Sequence, residues 1–153
     1  MKDDGFEVRP VTEADQGAWR ELFDGYAEFY RVPMTDAIAQ KVWSWLLDPT
    51  HVLEGVVAQD RSGAVIGLAH FRACPRTLGG SDIGFLDDLF VTPKARGSGA
   101  ADALLSYLGR VAQERGWPAV RWLTQHFNER GRGFYDRYTH GPSDFIVYHW
   151  AQH

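Results

Sequence analysis

Apolar positions along the chain change their spacing from block to block, and each change marks an element. Phe6 to Arg9 alternates as a short strand and stops at Pro10. Trp19, Leu22, Phe23, Tyr26 and Tyr30 then recur at helical spacing, which predicts a helix from about Glu13 to Tyr30. Thr12 and Asp15 fit the capping pattern that opens such a helix, and Gly17 and Gly25 weaken it. Ile38, Val42, Trp45 and Leu46 share a face of a second helix, with Thr35 or Asp36 placed to cap it and Pro49 to close it. Val52–Ala58 and Ala64–Arg72 read as strands joined by Asp60-Arg61-Ser62-Gly63, a hairpin signal.

The second half alternates strand and helix. Ile83 to Val91 is a strand ended by Pro93. Ala101, Leu104, Leu105, Leu108, Val111 and Ala112 form one apolar stripe of a helix that Gly116 terminates. Ala119–Thr124 is a strand, Asn128 caps a short helix to about Tyr138, and Phe145–Trp150 is a closing strand. Early hairpins followed by strand–helix–strand units imply an α/β chain with a mixed sheet covered by helices.

Composition narrows the classes. A chain of 153 residues, 44% of them hydrophobic, is sized for one domain spanning 1–153 and is too apolar to be disordered. No uncharged apolar run approaches the roughly 20 residues of a membrane span. Met1-Lys2-Asp3-Asp4-Gly5-Phe6 lacks the apolar core of a signal peptide. One cysteine, Cys74, cannot form an internal disulfide, so the expected compartment is the reducing cytoplasm. A net charge of −4 argues against nucleic acid as a partner, and no spacing among the six histidines supports a metal site.

The chemistry concentrates in Leu89-Phe90-Val91-Thr92-Pro93-Lys94-Ala95-Arg96-Gly97-Ser98-Gly99-Ala100-Ala101-Asp102, a strand, a Gly-rich turn and a helix start. A helix N-terminus offers unpaired N–H groups, and glycines let an anion come close to them. No Gly-Lys-Ser/Thr occurs, against a P-loop. Asp102 stands where a dinucleotide fingerprint would hold pyrophosphate, against that reading too. A simple helix cap is the bland alternative.

Arg96-Gly97-Ser98-Gly99-Ala100-Ala101 resembles the R/Q-x-x-G-x-G/A element of the GNAT acyl-CoA-dependent N-acetyltransferases. Val91 and Pro93 before it, Ala103-Leu104-Leu105 after it, the Asn128…Phe134-Tyr135 spacing and the opening Val8-Arg9-Pro10-Val11-Thr12 extend the likeness over nearly the whole chain. Leu86-Asp87-Asp88-Leu89-Phe90-Val91 and Val120–Gln125 look like the branch of the polyamine acetyltransferases, with the yeast histone/polyamine and D-amino-acid acetyltransferases in a similar group.

The resemblance implies a mostly antiparallel central sheet flanked by helices and acetyl-CoA as co-substrate, with no metal. It implies that the amides of Arg96, Gly97, Ser98, Gly99, Ala100 and Ala101 hold pyrophosphate. Leu89, Phe90 and Val91 would line the pantetheine arm, the Val91 N–H would polarise the thioester, and Asn128 would contact the pantetheine. Tyr135 stands where the family's general acid stands. Asp87 stands where the polyamine branch has a glutamate base. Asp87 and Asp88, as strand neighbours, are expected on opposite faces.

Tyr26 and Tyr30, with Asp87 and Asp88, are the candidate acceptor pocket, where aromatic walls beside carboxylates suit a cationic amine. The expected reaction is acetyl transfer to the primary amine of a small cationic metabolite, a polyamine or an amino acid, in a ternary complex. Protein-lysine acetylation and a catalytically silent acyl-CoA-binding regulatory domain are the alternatives. The expected partners are a small-molecule amine and a second copy of the chain as a homodimer through the C-terminal strand, with no membrane.

Overall fold

The computed structural model describes residues 2–3 and 5–153, with side chains from Gly5 onward. Met1 and Asp4, part of the run read for a signal peptide, lie outside them. The chain divides into two compact units, 1–122 and 123–153.

The first unit is one six-stranded sheet with helices on both faces. Its elements in chain order are β1 (Lys2–Asp3), β2 (Phe6–Pro10), α1 (Gln16–Phe29), α2 (Asp36–Leu47), β3 (Leu53–Gln59), β4 (Val65–Arg76), β5 (Ser81–Val91), α3 (Ala100–Arg115) and β6 (Val120–Trp122). The strands lie in sequence order, antiparallel throughout except for the parallel pair β5–β6. The expected mixed, mostly antiparallel sheet is therefore present. No helix of the described residues is long and apolar enough to cross a membrane.

Local chemistry explains most boundaries. Thr35 caps α2 by accepting the Ile38 N–H at 3.2 Å. Gly116 ends α3 with φ of 71°, where a side chain is unfavourable. The Asp60 carboxylate accepts the amides of Ser62 and Ala64 and closes the β3–β4 hairpin, as the sequence predicts. One helical turn of 3-10 type, Glu13–Asp15, precedes α1 and takes up the start of the longer helix expected there.

α1 and α2 cover one face. Trp19, Leu22 and Phe23 pack with Ala39, Trp43, Val57, Leu68 and Phe90 into a buried cluster. Trp19 sits between Phe23 and Trp43 at centroid distances of 4.9 and 4.8 Å. α3 covers the other face with most of the predicted stripe: Leu104, Leu105, Leu108, Val111 and Ala112 are buried, whereas Ala101 is only half-buried. Leu68 and His70 therefore face α1, while Phe71, whose ring lies 6.5 Å from that of Trp117, faces the opposite side.

Two features of β5 set the geometry of its C-terminal half. Pairing with β4 runs from Gly67↔Val91 to His70↔Asp88 and resumes at Phe71↔Leu86, so Asp87 is an extra residue, a bulge. Pairing with β6 covers only Gly84, Phe85 and Leu86. From Asp87 to Val91, no strand among the described residues flanks β5 on that side.

The second unit holds α4 (Glu129–Asp136), capped by Asn128 as predicted. The expected closing strand is not formed. Phe145–Trp150 carries no strand pairing, and Phe145, Ile146, Val147, Tyr148 and Trp150 are 69–88% exposed. Alternating apolar residues mark the propensity for a strand, but a strand exists only where a neighbour supplies the ladder.

The start of α1 rests on a buried ion pair. Asp15 is nearly inaccessible and accepts two bonds from the Arg9 guanidinium, at 2.7 and 2.9 Å, plus the Thr12 N–H at 2.7 Å. The Arg9 bonds hold its carboxyl below the ordinary aspartate range, against the opposing effect of burial. Asp15→Ala leaves Arg9 without this partner and should lower stability by about 2–3 kcal/mol in urea unfolding. Because the carboxyl is depressed in the folded state, that contribution is full above the ordinary aspartate range and fades as pH falls through the lowered value. The gap between variant and wild type should therefore narrow as pH falls from neutral to below the ordinary aspartate range.

Candidate active site

The Gly-rich turn lies between β5 and α3. Gly97 and Gly99 have φ of 80° and 96°, left-handed values that favour glycine. Gly99 also caps α3, and no side chain caps the helix in its place. Of the six amides implicated by sequence, two are already engaged: Arg96 N–H donates to the Pro93 carbonyl at 3.3 Å and Ser98 N–H to the Ala95 carbonyl at 3.2 Å. The amides of Gly97, Gly99, Ala100 and Ala101 have no acceptor among the described residues. Four unpaired donors at the positive end of a sixteen-residue helix, with no Cβ at the two glycines, fit a pyrophosphate.

The open stretch of β5 leads into this turn. Thr92 N–H donates to the Ile66 carbonyl on β4 at 2.9 Å. Backbone polarity alternates along a strand, so the N–H and C=O of Val91 and Leu89 point away from β4, toward the side that β6 leaves uncovered. Phe90 differs from its two neighbours. Its backbone turns to β4, and its ring is buried against α1, edge-on to Tyr26 at 6.1 Å. Only Leu89 and Val91 of the three expected cofactor contacts thus offer backbone groups on the open side.

The carboxylates lie on the α1 face, and here one expectation is corrected. Asp88 Oδ2 lies 2.8 Å from His70 Nδ1, and Asp87 accepts from Arg72 Nε at 3.0 Å. His70 and Arg72 are two residues apart on β4 and so share a face. Both aspartates therefore point to the same face, not to opposite ones, because the bulge at Asp87 breaks the alternation. Burial pushes the Asp87 carboxyl above its ordinary value. Arg72 opposes that shift and the neighbouring Asp88 charge adds to it. Arg72 also lies over the Phe85 ring at 4.7 Å.

His70 is the residue that sequence reading misses. It is 0% exposed, and its Nε2 accepts the Trp19 indole N–H at 2.9 Å. The signal available was a lone histidine inside the apolar run Leu68-Ala69-His70-Phe71, a position that reads equally well as packing. Tyr26 joins the site by donating its hydroxyl to the Asp87 carbonyl at 3.3 Å, and Tyr30 packs on Tyr26 at 5.0 Å. A cleft of about 510 Å³ runs between α1 and the Gly-rich turn, lined in part by Glu21, Glu28, Phe29, Phe90 and Arg96. Neither Asp87 nor Asp88 lines it. At its floor Gly25 lies so near Phe90 that a Cβ would meet the ring at 3.0 Å.

Asn128 and Tyr135 belong to the second unit. Asn128 Oδ1 accepts the Gly131 N–H at 3.1 Å, and its Nδ2 donates to Thr124 Oγ1 at 3.0 Å, so its side chain serves as a cap. Tyr135 sits on α4 with its ring edge-on to Phe134 at 5.6 Å. Among the described residues, no group of three His, Cys, Asp or Glu side chains is placed to hold a metal ion.

Compared with known proteins, residues 18–140 match the sequence profile of the acetyltransferase (GNAT) family. The D-amino-acid N-acetyltransferase HPA3 of Saccharomyces cerevisiae is 30% identical over 149 residues, covering 97% of this chain and 92% of that protein. Among solved structures, a ribosomal-protein-alanine N-acetyltransferase from Brucella melitensis has a TM-score of 0.80 at 23% identity, covering 96% of this chain and 99% of that one. AAC(6')-Iy, bound to a bisubstrate analogue of CoA and acetylneamine, has a TM-score of 0.83 at 19% identity, covering 96% and 98%. At these identities the two structures speak for the fold.

Proposed function

The chain belongs to the acetyltransferase (GNAT) family of acetyl-CoA-dependent N-acetyltransferases, and on that premise we propose that it acetylates the primary amine of a small cationic metabolite, an amino acid or a polyamine. The observation that carries this reading is the carboxylate pair Asp87 and Asp88, set on the strand whose open stretch leads into the unpaired amides of the Gly-rich turn. Residues 1–153 act as one transferase domain.

In this reading the amides of Gly97, Gly99, Ala100 and Ala101, together with Arg96, bind the pyrophosphate of acetyl-CoA. The open backbone groups of Leu89 and Val91 pair with the pantetheine amides, in the manner of strand addition. The Val91 N–H polarises the thioester carbonyl. An alkyl amine arrives mostly as an ammonium, since such groups titrate near ~10. Asp87, its basicity raised by burial, takes one proton through a bridging water, because aspartate is a methylene shorter than the glutamate of the polyamine branch. The amine lone pair attacks the thioester carbon, the C–N bond forms, the C–S bond breaks, and the nitrogen releases its second proton to solvent. Tyr135 gives its phenolic proton to the departing thiolate and regains one from solvent. The products are the N-acetyl amine, CoA thiol and one proton.

Arg72 favours an amino acid over a polyamine. Its Nε serves Asp87, while its two terminal nitrogens have no hydrogen-bond partner among the described residues. A guanidinium fork beside two carboxylates complements a zwitterion, the fork taking the carboxylate and the aspartates the ammonium. The exposed apolar run Phe145–Trp150 is proposed to meet a second copy of the chain in a homodimer.

Three experiments test these assignments. Tyr135→Phe should reduce CoA release by about 10²-fold or more with unchanged acetyl-CoA binding, and near-normal turnover would remove Tyr135 as the acid. Gly99→Glu sets a carboxylate in the turn and should abolish acetyl-CoA binding in calorimetry, and unaltered binding would mean the pyrophosphate lies elsewhere. Leucine should be acetylated with higher kcat/KM than leucinamide, and Arg72→Gln should shrink that preference by about tenfold. A wild-type enzyme that prefers leucinamide or spermidine would refute the zwitterion reading.

A further inference from the structure

We infer that His70 is a positioning residue, locked by Trp19 in the one tautomer that lets it hold Asp88 as the carboxylate orienting the acceptor ammonium. The inference rests on the N-acetyltransferase reading and assigns His70, Trp19 and Asp88 distinct parts in it.

The hydrogen-bond directions leave no choice of tautomer. An indole N–H only donates, so the Trp19 contact at 2.9 Å requires His70 Nε2 to accept. A ring with an accepting Nε2 is neutral and carries its proton on Nδ1. That N–H then donates to Asp88 Oδ2 at 2.8 Å. An imidazolium would set N–H against N–H inside the core. The bonds therefore run one way, Trp19 to His70 to Asp88, and end on a carboxylate.

Burial falls along the same path. The side chain of His70 is 1% exposed and that of Asp88 is 23% exposed. The Nδ1–H of His70 ends on a partly open carboxylate and not on a backbone carbonyl. This bond reaches out to the site face. The ring is held on every side: Trp19 and Phe23 from α1, with Phe23 edge-on at 5.5 Å, and Gly55 opposite it on β3. A Cβ at Gly55 would come within 3.4 Å of the His70 ring and 2.9 Å of Leu46. The charged groups nearby are Asp88 itself and, farther along the face, Asp87 with Arg72.

The two aspartates are thereby separated in role. Both oxygens of Asp87 are within reach of Arg72 Nε, at 3.0 and 3.3 Å. Asp88 uses Oδ2 for His70, and Oδ1 has no hydrogen-bond partner among the described residues. A carboxylate with one oxygen anchored to a rigid buried ring and the other open is suited to direct an ammonium N–H. His70 itself exchanges no proton during the reaction.

The test is a double-mutant cycle read by calorimetry on the full-length protein saturated with CoA, with leucine and spermidine as probes. His70→Phe and Asp88→Asn should each weaken binding of the preferred amine about tenfold or more, the worth of a bond to a charged group. The double variant should bind no worse than Asp88→Asn alone, because His70 acts through Asp88. His70→Asn, which keeps an N–H near the Nδ1 position, should restore much of the loss, and affinity for CoA should stay at the wild-type value throughout. Wild-type affinity in His70→Phe, additive losses, an equal fall in CoA affinity, or a wild type that binds neither amine would overturn the inference. Should His70→Phe fail to fold, nitrogen-15 spectra of the wild type decide: the Nδ1–H tautomer is expected at neutral pH, and an Nε2–H tautomer or imidazolium refutes the lock. Failure of the parent reading looks different, since no amine would then release CoA from acetyl-CoA even with the binding cycle intact.

Discussion

One extra residue in β5 opposite His70 organises the site. A strand in regular register alternates its side chains, and two adjacent aspartates would then face α1 and α3 in turn. The bulge at Asp87 cancels that alternation for one step, so Asp87 meets Arg72 and Asp88 meets His70 on a single face. A bulged strand also bends and twists more strongly. β6 leaves β5 at Leu86, immediately before the bulge. The gathering of carboxylates and the opening of the sheet thus occur at the same step of the backbone.

The two ends of the open stretch handle charge differently. At the turn, positive character comes mainly from backbone, four amides and a helix end, with Arg96 beside them and the carboxylate of Asp102 one residue further into α3. At the bulge, charge comes from side chains and is partly compensated. Arg72 offsets Asp87, and a neutral imidazole steadies Asp88 without cancelling it. Anion-attracting amides and cation-attracting carboxylates thus stand apart, at the two ends of the open stretch of β5 and its turn.

Elements that depend on local chemistry were legible in the sequence: the Thr35 cap, the Asp60 hairpin, the apolar stripe of α3 and the Gly116 stop all arise from residues near one another. The Gly-rich turn was legible for the same reason, although its use of Arg96 and Ser98 amides for its own closure was not, because a sequence shows which amides exist and not which are engaged. The bulge is a property of pairing between residues eighteen apart in the chain, so no single strand reveals it. His70 was hidden because its partners, Trp19 and Asp88, come from α1 and β5. Phe145–Trp150 shows the converse: a strong strand pattern does not make a strand when no ladder forms.

Gly25 gives the site an adjustable dimension. The helix approaches β5 so closely there that a methyl group would strike the Phe90 ring. The separation of α1 from the sheet, and with it the breadth of the cleft lined by Glu21, Glu28 and Arg96, is therefore governed by an atom that is missing. Alanine at this position would press on the Phe90 ring, so that ring or helix gives by a few tenths of an ångström without any change to a charged group. The breadth of that cleft would then track the size of residue 25, while the aspartates, which do not line it, stayed as they are.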